Sequence, residues 1–182
     1  MDEKIALVYK SKYGITKRYA GWIALKLNAD LYEVSDIREK DLKEYSTIIY
    51  GGPLYLGKIK GLNFIKNNYQ NIKNKKIIVF MVGMKSGNEE YINTVLNENL
   101  SEEMKGNVQA FYFRGAISYS ELGLVDKILM KGLKRSILSK DKNKLSEDEE
   151  IILKSFGQSI DFTDKKSIDN LIDYINITNI EE

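Results

Sequence analysis

The chain of 182 residues contains neither cysteine nor histidine. Without cysteine it has no disulfides, no thiolate metal ligands and no redox dithiols. Without histidine it lacks the commonest metal ligand and the commonest general base, so zinc hydrolases and Ser-His-Asp enzymes are disfavoured and no metal site is expected. If the protein is an enzyme, we therefore expect a bound cofactor to carry the chemistry.

The chain also has little proline, no long apolar run and a small net charge. A single proline argues against extended linkers, and no apolar run approaches the roughly 20 residues of a membrane-spanning helix. The N-terminus shows no secretory signal pattern, so a cytoplasmic location is the expectation. A net charge of +2 gives no indication of nucleic-acid binding. The length and the hydrophobic content of 43% predict one domain over residues 1–182.

Five apolar runs typical of strands alternate with helical patterns along the chain. The runs cover residues 5–9, 31–34, 46–50, 76–82 and 108–113. This alternation predicts an α/β three-layer sandwich, with a five-stranded parallel sheet in the order 2-1-3-4-5 and helices on both faces. In such sheets, ligands bind beyond the carboxyl ends of the strands, where the strand order reverses.

The first run leads into a polar loop and then an amphipathic helix pattern. The loop reads Ser11-Lys12-Tyr13-Gly14-Ile15-Thr16. Backbone amides at a helix start suit a phosphate, and the hydroxyls of Ser11 and Thr16 add two donors. Gly14 permits close backbone approach, and Lys12 adds positive charge. An ordinary strand–helix turn is the alternative, and neither G-x-G-x-x-G nor G-x-x-x-x-G-K-[ST] occurs here.

Two further glycine-containing loops follow the third and fourth runs. The three loops are therefore expected to meet at one edge of the sheet. The candidate binding residues in these two loops are Pro53, Leu54, Tyr55, Leu56 and Gly57, and Val82, Gly83, Met84, Lys85 and Asn88. Tyr55 is placed to stack on a flat aromatic ring, unless it is simply a packed loop residue. Backbone groups of the later loop are placed to meet the edge of such a ring, and Asn88 is also predicted to cap the next helix.

Together, the three loops resemble those of the flavodoxin family. The first matches the phosphate loop [ST]-x-[TY]-G-x-[ST], and residues 51–58 match the loop that flanks the flavin ring. Residues 114–119, 124–130 and 159–164 extend the resemblance to the subgroup that includes the oxygen-independent, flavodoxin-like protoporphyrinogen oxidase. The resemblance implies the flavodoxin-like fold and an FMN cofactor bound by the loop residues named above, with no catalytic side chain required. Carrier flavodoxins are acidic around the flavin, whereas this chain is slightly basic.

Three functions remain open at this point. The first is an FMN-dependent oxidoreductase that passes electrons from a reduced substrate, such as an anionic porphyrinogen, to a quinone or other acceptor. The second is a soluble electron-transfer protein that serves redox partner proteins and has no substrate of its own. The third is a non-redox α/β domain whose loops bind another phosphate or nothing. Absorbance of the purified protein near about 450 nm separates the third from the others.

A basic helical insertion is predicted at about residues 118–145. Its apolar positions alternate with Lys127, Lys131, Lys134 and Arg135. A basic amphipathic helix of this kind suits peripheral contact with the inner face of an anionic membrane, or an anionic substrate. An ordinary surface helix with solvated lysines is the alternative. The oligomeric state is left open.

Overall fold

A twisted sheet forms the middle layer of the computed structural model, which describes residues 4–178. The sheet contains β1 (Ile5–Tyr9), β2 (Asp30–Glu33), β3 (Thr47–Tyr55), β4 (Lys58–Ile59), β5 (Lys76–Gly83) and β6 (Val108–Arg114). Two short strands, β7 (Ala116–Ile117) and β8 (Ile160–Asp161), pair antiparallel in a separate sheet. Parallel strands follow the order β2-β1-β3-β5-β6, as predicted for the five apolar runs. The predicted count of five is wrong by one strand, because the short β4 joins the sheet antiparallel to β3.

Helices connect these strands and close the fold. They are α1 (Ile15–Leu27), α2 (Asn63–Ile72), α3 (Glu89–Asn99), α4 (Glu102–Lys105), α5 (Leu124–Leu138), α6 (Glu147–Lys154) and α7 (Asp169–Thr178). Helix α5 lies inside the predicted insertion, and α6 begins with the capping box of Ser146 and Glu149 that its sequence indicates. The four-residue α4 was not predicted. A 3-10 turn at Lys165–Ile168 leads into α7.

Each face of the sheet carries its own hydrophobic core, because successive side chains of a strand point to opposite faces. In β1, Leu7 packs with α1 and α7, whereas Val8 packs with α2 and α3. The run of β5 is buried from Ile77 onward, as expected for a central parallel strand with helices on both sides. The prediction of helices on both faces is therefore confirmed.

The third strand extends well beyond its predicted end. Residues 51–58 were expected to form a loop, yet β3 continues through Gly51 and Pro53 to Tyr55, and β4 pairs back against it. A Cβ at Gly51 would lie 2.0 Å from Cζ of Phe80. The glycine therefore lets an aromatic side chain of the neighbouring strand pass across β3, which is a packing role rather than a turn.

No helix in the described part of the chain is both long enough and apolar enough to cross a bilayer. Within the same residues, 4–178, no group of three or more acidic side chains is arranged to hold a metal ion. The residues before position 4 and after position 178 belong to the predicted domain but lie outside the described range.

Candidate functional site at the carboxyl edge of the sheet

The β1–α1 loop has the backbone geometry that the phosphate interpretation requires. Gly14 occupies the N-cap of α1 with φ of 83°, a left-handed conformation that favours glycine. No side chain caps this helix, and its first turn contains no acidic residue. No side chain therefore occupies the first amides of α1. These amides form the positive end of the helix dipole, which suits an anion.

Polar side chains of the same loop fit a phosphate group. Ser11 Oγ is buried and has no hydrogen-bond partner among the described residues, an arrangement that a phosphate oxygen would satisfy. Thr16 is buried in the first turn of α1, and Ile15 beside it is half-buried. The binding role of Ser11 and Thr16 stays a prediction.

Tyr55 is followed by a tight hairpin turn instead of an open loop. The turn is formed by Leu56 with φ of 50° and Gly57 with φ of 76°, the two positive values that define a type I′ hairpin turn. Leu56 is 78% exposed, whereas Tyr55 is half-buried. The turn thus presents an aromatic ring and an apolar side chain next to each other at the edge of the sheet.

The second and third predicted loops lie side by side. Pro53 is in register with Val82 across β3 and β5, and a Cβ at Gly83 would contact Leu54 Cδ1 at 3.3 Å. Met84 is half-buried and Lys85 is exposed just beyond the end of β5. The backbone therefore brings these residues together, as the sheet order predicts.

Asn88 has a structural role that its sequence position already indicates. Its side-chain oxygen accepts a hydrogen bond of 2.9 Å from the amide of Tyr91 and caps α3. That oxygen is used within the protein, so a contact with a cofactor would fall to its amide nitrogen or its backbone. The prediction of a helix cap is confirmed, and the prediction of a binding role for Asn88 is not tested.

One buried carboxylate connects the first two loops to helix α5. Asp126 accepts hydrogen bonds from Lys12 Nζ at 2.7 Å and from the hydroxyl of Tyr13 on Oδ2, and from the hydroxyl of Tyr55 at 2.9 Å on Oδ1. The hydroxyl of Tyr13 in turn accepts from the amide of Gly123, just before α5. Lys12 and Tyr13 are therefore directed at the insertion helix, which the loop sequence alone did not indicate.

These contacts change the acidity of the groups that form them. The hydrogen bond from the Lys12 ammonium, followed by that from Tyr13, holds the pKa of Asp126 below its ordinary value. The same carboxylate raises the pKa of Lys12, and the bond that Tyr55 donates to it raises the pKa of that phenol. At neutral pH the cluster therefore pairs the Asp126 carboxylate with the Lys12 ammonium and the protonated phenol of Tyr55.

Two residues near the site were not identified as candidates from the sequence. Asp126 is the single acid among the 15 residues of α5, and a lone acid in a basic segment is the signal that marks it. Arg114 ends β6 beside the third loop, with its guanidinium carbon 3.7 Å from the centroid of the Phe162 ring. Its Nε is buried without a partner among the described residues.

A doubly wound parallel sheet with an uncapped helix start and an aromatic residue at its carboxyl edge is typical of nucleotide-binding α/β proteins. The family model described as a flavodoxin domain matches residues 6–145, and the chain belongs to this family. FMN is the cofactor of flavodoxin domains, and the unpartnered hydroxyl of Ser11 at an uncapped helix start fits its phosphate.

Several solved flavodoxin structures are similar to this chain. A flavodoxin from the domain Archaea is 18% identical, with a TM-score of 0.44 over 62% of this chain and 85% of its own. Oxidised flavodoxin 2 from Bacillus cereus is 20% identical, with a TM-score of 0.39 over 60% and 84%. Two-electron reduced flavodoxin from Megasphaera elsdenii is 16% identical, with a TM-score of 0.45 over 59% and 84%. Among curated proteins, none matches the sequence.

Proposed function

We propose that this protein is an FMN-dependent oxidoreductase, similar to the oxygen-independent protoporphyrinogen oxidase, that passes electrons from a reduced, anionic porphyrinogen to a quinone. FMN, when bound, accepts electrons from one partner and releases them to another. The side chains of the chain itself hold the cofactor and shape access to it. The absence of histidine and cysteine agrees with a site in which no side chain serves as the redox or acid–base group.

The observation that carries this proposal is the attachment of α5 to the cofactor-binding edge. Asp126 joins the first turn of α5 to Tyr13 and Tyr55, so the helix lies against both loops that are predicted to surround FMN. An electron carrier exposes its flavin edge to the surfaces of partner proteins. A helix attached at that edge narrows the approach and favours a small substrate over a protein surface.

The cationic side chains of α5 also suit an anionic substrate. Lys127, Lys131, Lys134 and Arg135 all lie on this helix, and its one acid, Asp126, is buried against the loops. The positive charge is thus not compensated by other acids of the helix. A substrate with carboxylate groups is attracted to such a surface.

Anaerobic reduction of the flavin tests the proposal directly. The protein is saturated with FMN and mixed with protoporphyrinogen without oxygen, and absorbance near about 450 nm is followed before and after a soluble quinone is added. We expect loss of absorbance with the porphyrinogen and recovery with the quinone. If the porphyrinogen leaves the flavin oxidised while a reductase and its nicotinamide donor reduce it, the alternative of an electron-transfer protein without its own substrate is favoured.

The outward face of α5 supports peripheral contact with a membrane as part of the same function. Leu124, Val125, Ile128 and Leu129 are 77%, 66%, 62% and 41% exposed, and cationic side chains lie on the same helix. Apolar side chains beside lysines on one helix suit the headgroup region of an anionic bilayer. A lipid-soluble quinone is available at that surface.

Sedimentation with lipid vesicles tests this contact. We expect binding to vesicles that contain phosphatidylglycerol, weaker binding to pure phosphatidylcholine, and loss of binding in Ile128→Glu. Leu25→Glu is the matched control, because Leu25 is 78% exposed and lies on α1, a different helix. Equal binding of both variants, or no binding of the unaltered protein, contradicts the membrane contact and leaves the redox assay unaffected.

A further inference from the structure

Among the side chains whose burial the structure describes, Asp126 is the one charged group that is buried. It is 5% exposed, and the other buried polar residues are threonine, asparagine and serine. A buried carboxylate loses its hydration, which is unfavourable unless donors replace the water. A buried carboxylate is tolerated when hydrogen-bond donors compensate for the lost hydration. The donors to Asp126 therefore indicate which segments the carboxylate holds together.

The donors to Asp126 come from two separate segments of the chain. Lys12 and Tyr13 belong to the β1–α1 loop, and Tyr55 ends β3, more than 40 residues later in the sequence. These three side chains are the titratable groups that face the carboxylate, and a second cation, Lys60 Nζ, lies 4.9 Å from the centroid of the Tyr55 ring. One carboxylate thus sets the positions of side chains from both loops predicted to flank FMN.

We propose that Asp126 is a positioning residue of the FMN site, which attaches helix α5 to both cofactor loops and orients the rings of Tyr13 and Tyr55. The FMN measurements described below depend on the function proposed above, whereas the exchange measurement does not. Replacing the carboxylate by an amide keeps its size but removes the charge that pairs with Lys12. The amide also has one acceptor oxygen, whereas the carboxylate has two oxygens that accept from the three donors.

Hydrogen exchange of the protein without FMN tests the attachment of α5. In Asp126→Asn we expect the amides of peptide 124–138 to exchange about tenfold faster, because the helix loses its link to the loops. The control is Asp30→Asn at the opposite end of the sheet, where Asp30 accepts a hydrogen bond of 2.8 Å from the hydroxyl of Tyr45. It makes the same carboxylate-to-amide change at another acceptor of a tyrosine hydroxyl and should leave exchange in α5 unchanged. Equal exchange of α5 in both variants overturns the attachment.

Titration with FMN tests the positioning role. We expect about tenfold weaker FMN binding in Asp126→Asn, with faster dissociation, and no change in Asp30→Asn. Unchanged or tighter binding in Asp126→Asn overturns the proposal, because tighter binding would mean that the carboxylate competes with FMN. If the unaltered protein does not bind FMN, the proposed function fails while the exchange result still decides whether α5 is attached.

Coupling to Tyr55 separates positioning from a general loss of structure. Tyr55→Phe removes a single hydroxyl and is also the variant of choice if Asp126→Asn does not fold. We expect Tyr55→Phe to weaken FMN binding in the unaltered protein but to have little further effect in the Asp126→Asn background. Additive losses in the double variant contradict a shared role of the two residues at the site.

Discussion

Replacing Leu56 by asparagine is expected to stabilise the protein without FMN. Leu56 has φ of 50° in a two-residue hairpin turn, and a side chain with a Cβ is strained there by roughly 1–2 kcal/mol relative to right-handed backbone. Asparagine followed by glycine is the preferred pair for this type of turn. Asparagine also carries a Cβ, but its short polar side chain hydrogen-bonds locally and tolerates this conformation, so the substitution relieves most of that strain.

The loss of hydrophobic burial opposes this gain but is smaller. Leu56 is 78% exposed, so about a fifth of its side chain is covered. Since full burial of leucine contributes roughly 1.5–3 kcal/mol, this fraction is worth about 0.5 kcal/mol. The expected net gain is about 0.5–1 kcal/mol, or an increase of roughly 1–4 °C in Tm for a domain of this size.

Urea denaturation of the FMN-free protein measures this difference. Leu25→Asn is the matched control, because Leu25 is also 78% exposed but lies within helix α1, where asparagine is a weaker helix former. We expect the urea midpoint to rise for Leu56→Asn and to fall for Leu25→Asn. A fall for both would refute the argument from backbone strain. Because Leu56 is also a predicted cofactor contact, we expect FMN affinity to decrease even as stability increases.

Three further predictions concern the loops and their attachment. We expect about tenfold weaker FMN binding in Gly14→Val and Thr16→Val. Lys12→Ala should weaken binding only about threefold, because the Lys12 ammonium is engaged by Asp126. Equal losses in an FMN titration of the three variants would contradict the phosphate-loop assignment. Gly51→Ala should lower the free energy of unfolding by about 2–3 kcal/mol, because its Cβ would overlap an aromatic ring of β5. An unchanged midpoint in urea denaturation would contradict that packing. Folding lowers the pKa of Asp126, so its contribution to stability is present above the ordinary aspartate pKa of about 3.9 and is lost as the pH falls through the lowered value. The difference in urea midpoint between the unaltered protein and Asp126→Asn should therefore shrink below about pH 4, and a constant difference would contradict this.

Local sequence patterns determined the strand–helix alternation and the first loop. The apolar run of β1, the polar loop after it and the helical spacing of α1 involve neighbours within a few residues, so propensity and periodicity identify them. The continuous apolar run of β5 likewise identifies a strand buried on both faces. Because the strands are parallel, their order then brings the three loops to one edge without further information.

Only the tertiary structure decided how the second loop and the insertion are used. Glycine and proline in residues 51–53 indicate a loop by local preference, but pairing with β1 and β5 keeps them in a strand. The partners of Asp126 lie up to 114 residues away, and no local pattern encodes a contact over that distance. The chain alone therefore identifies a candidate place for a phosphate, whereas only the tertiary structure shows that Asp126 of α5 contacts Lys12, Tyr13 and Tyr55.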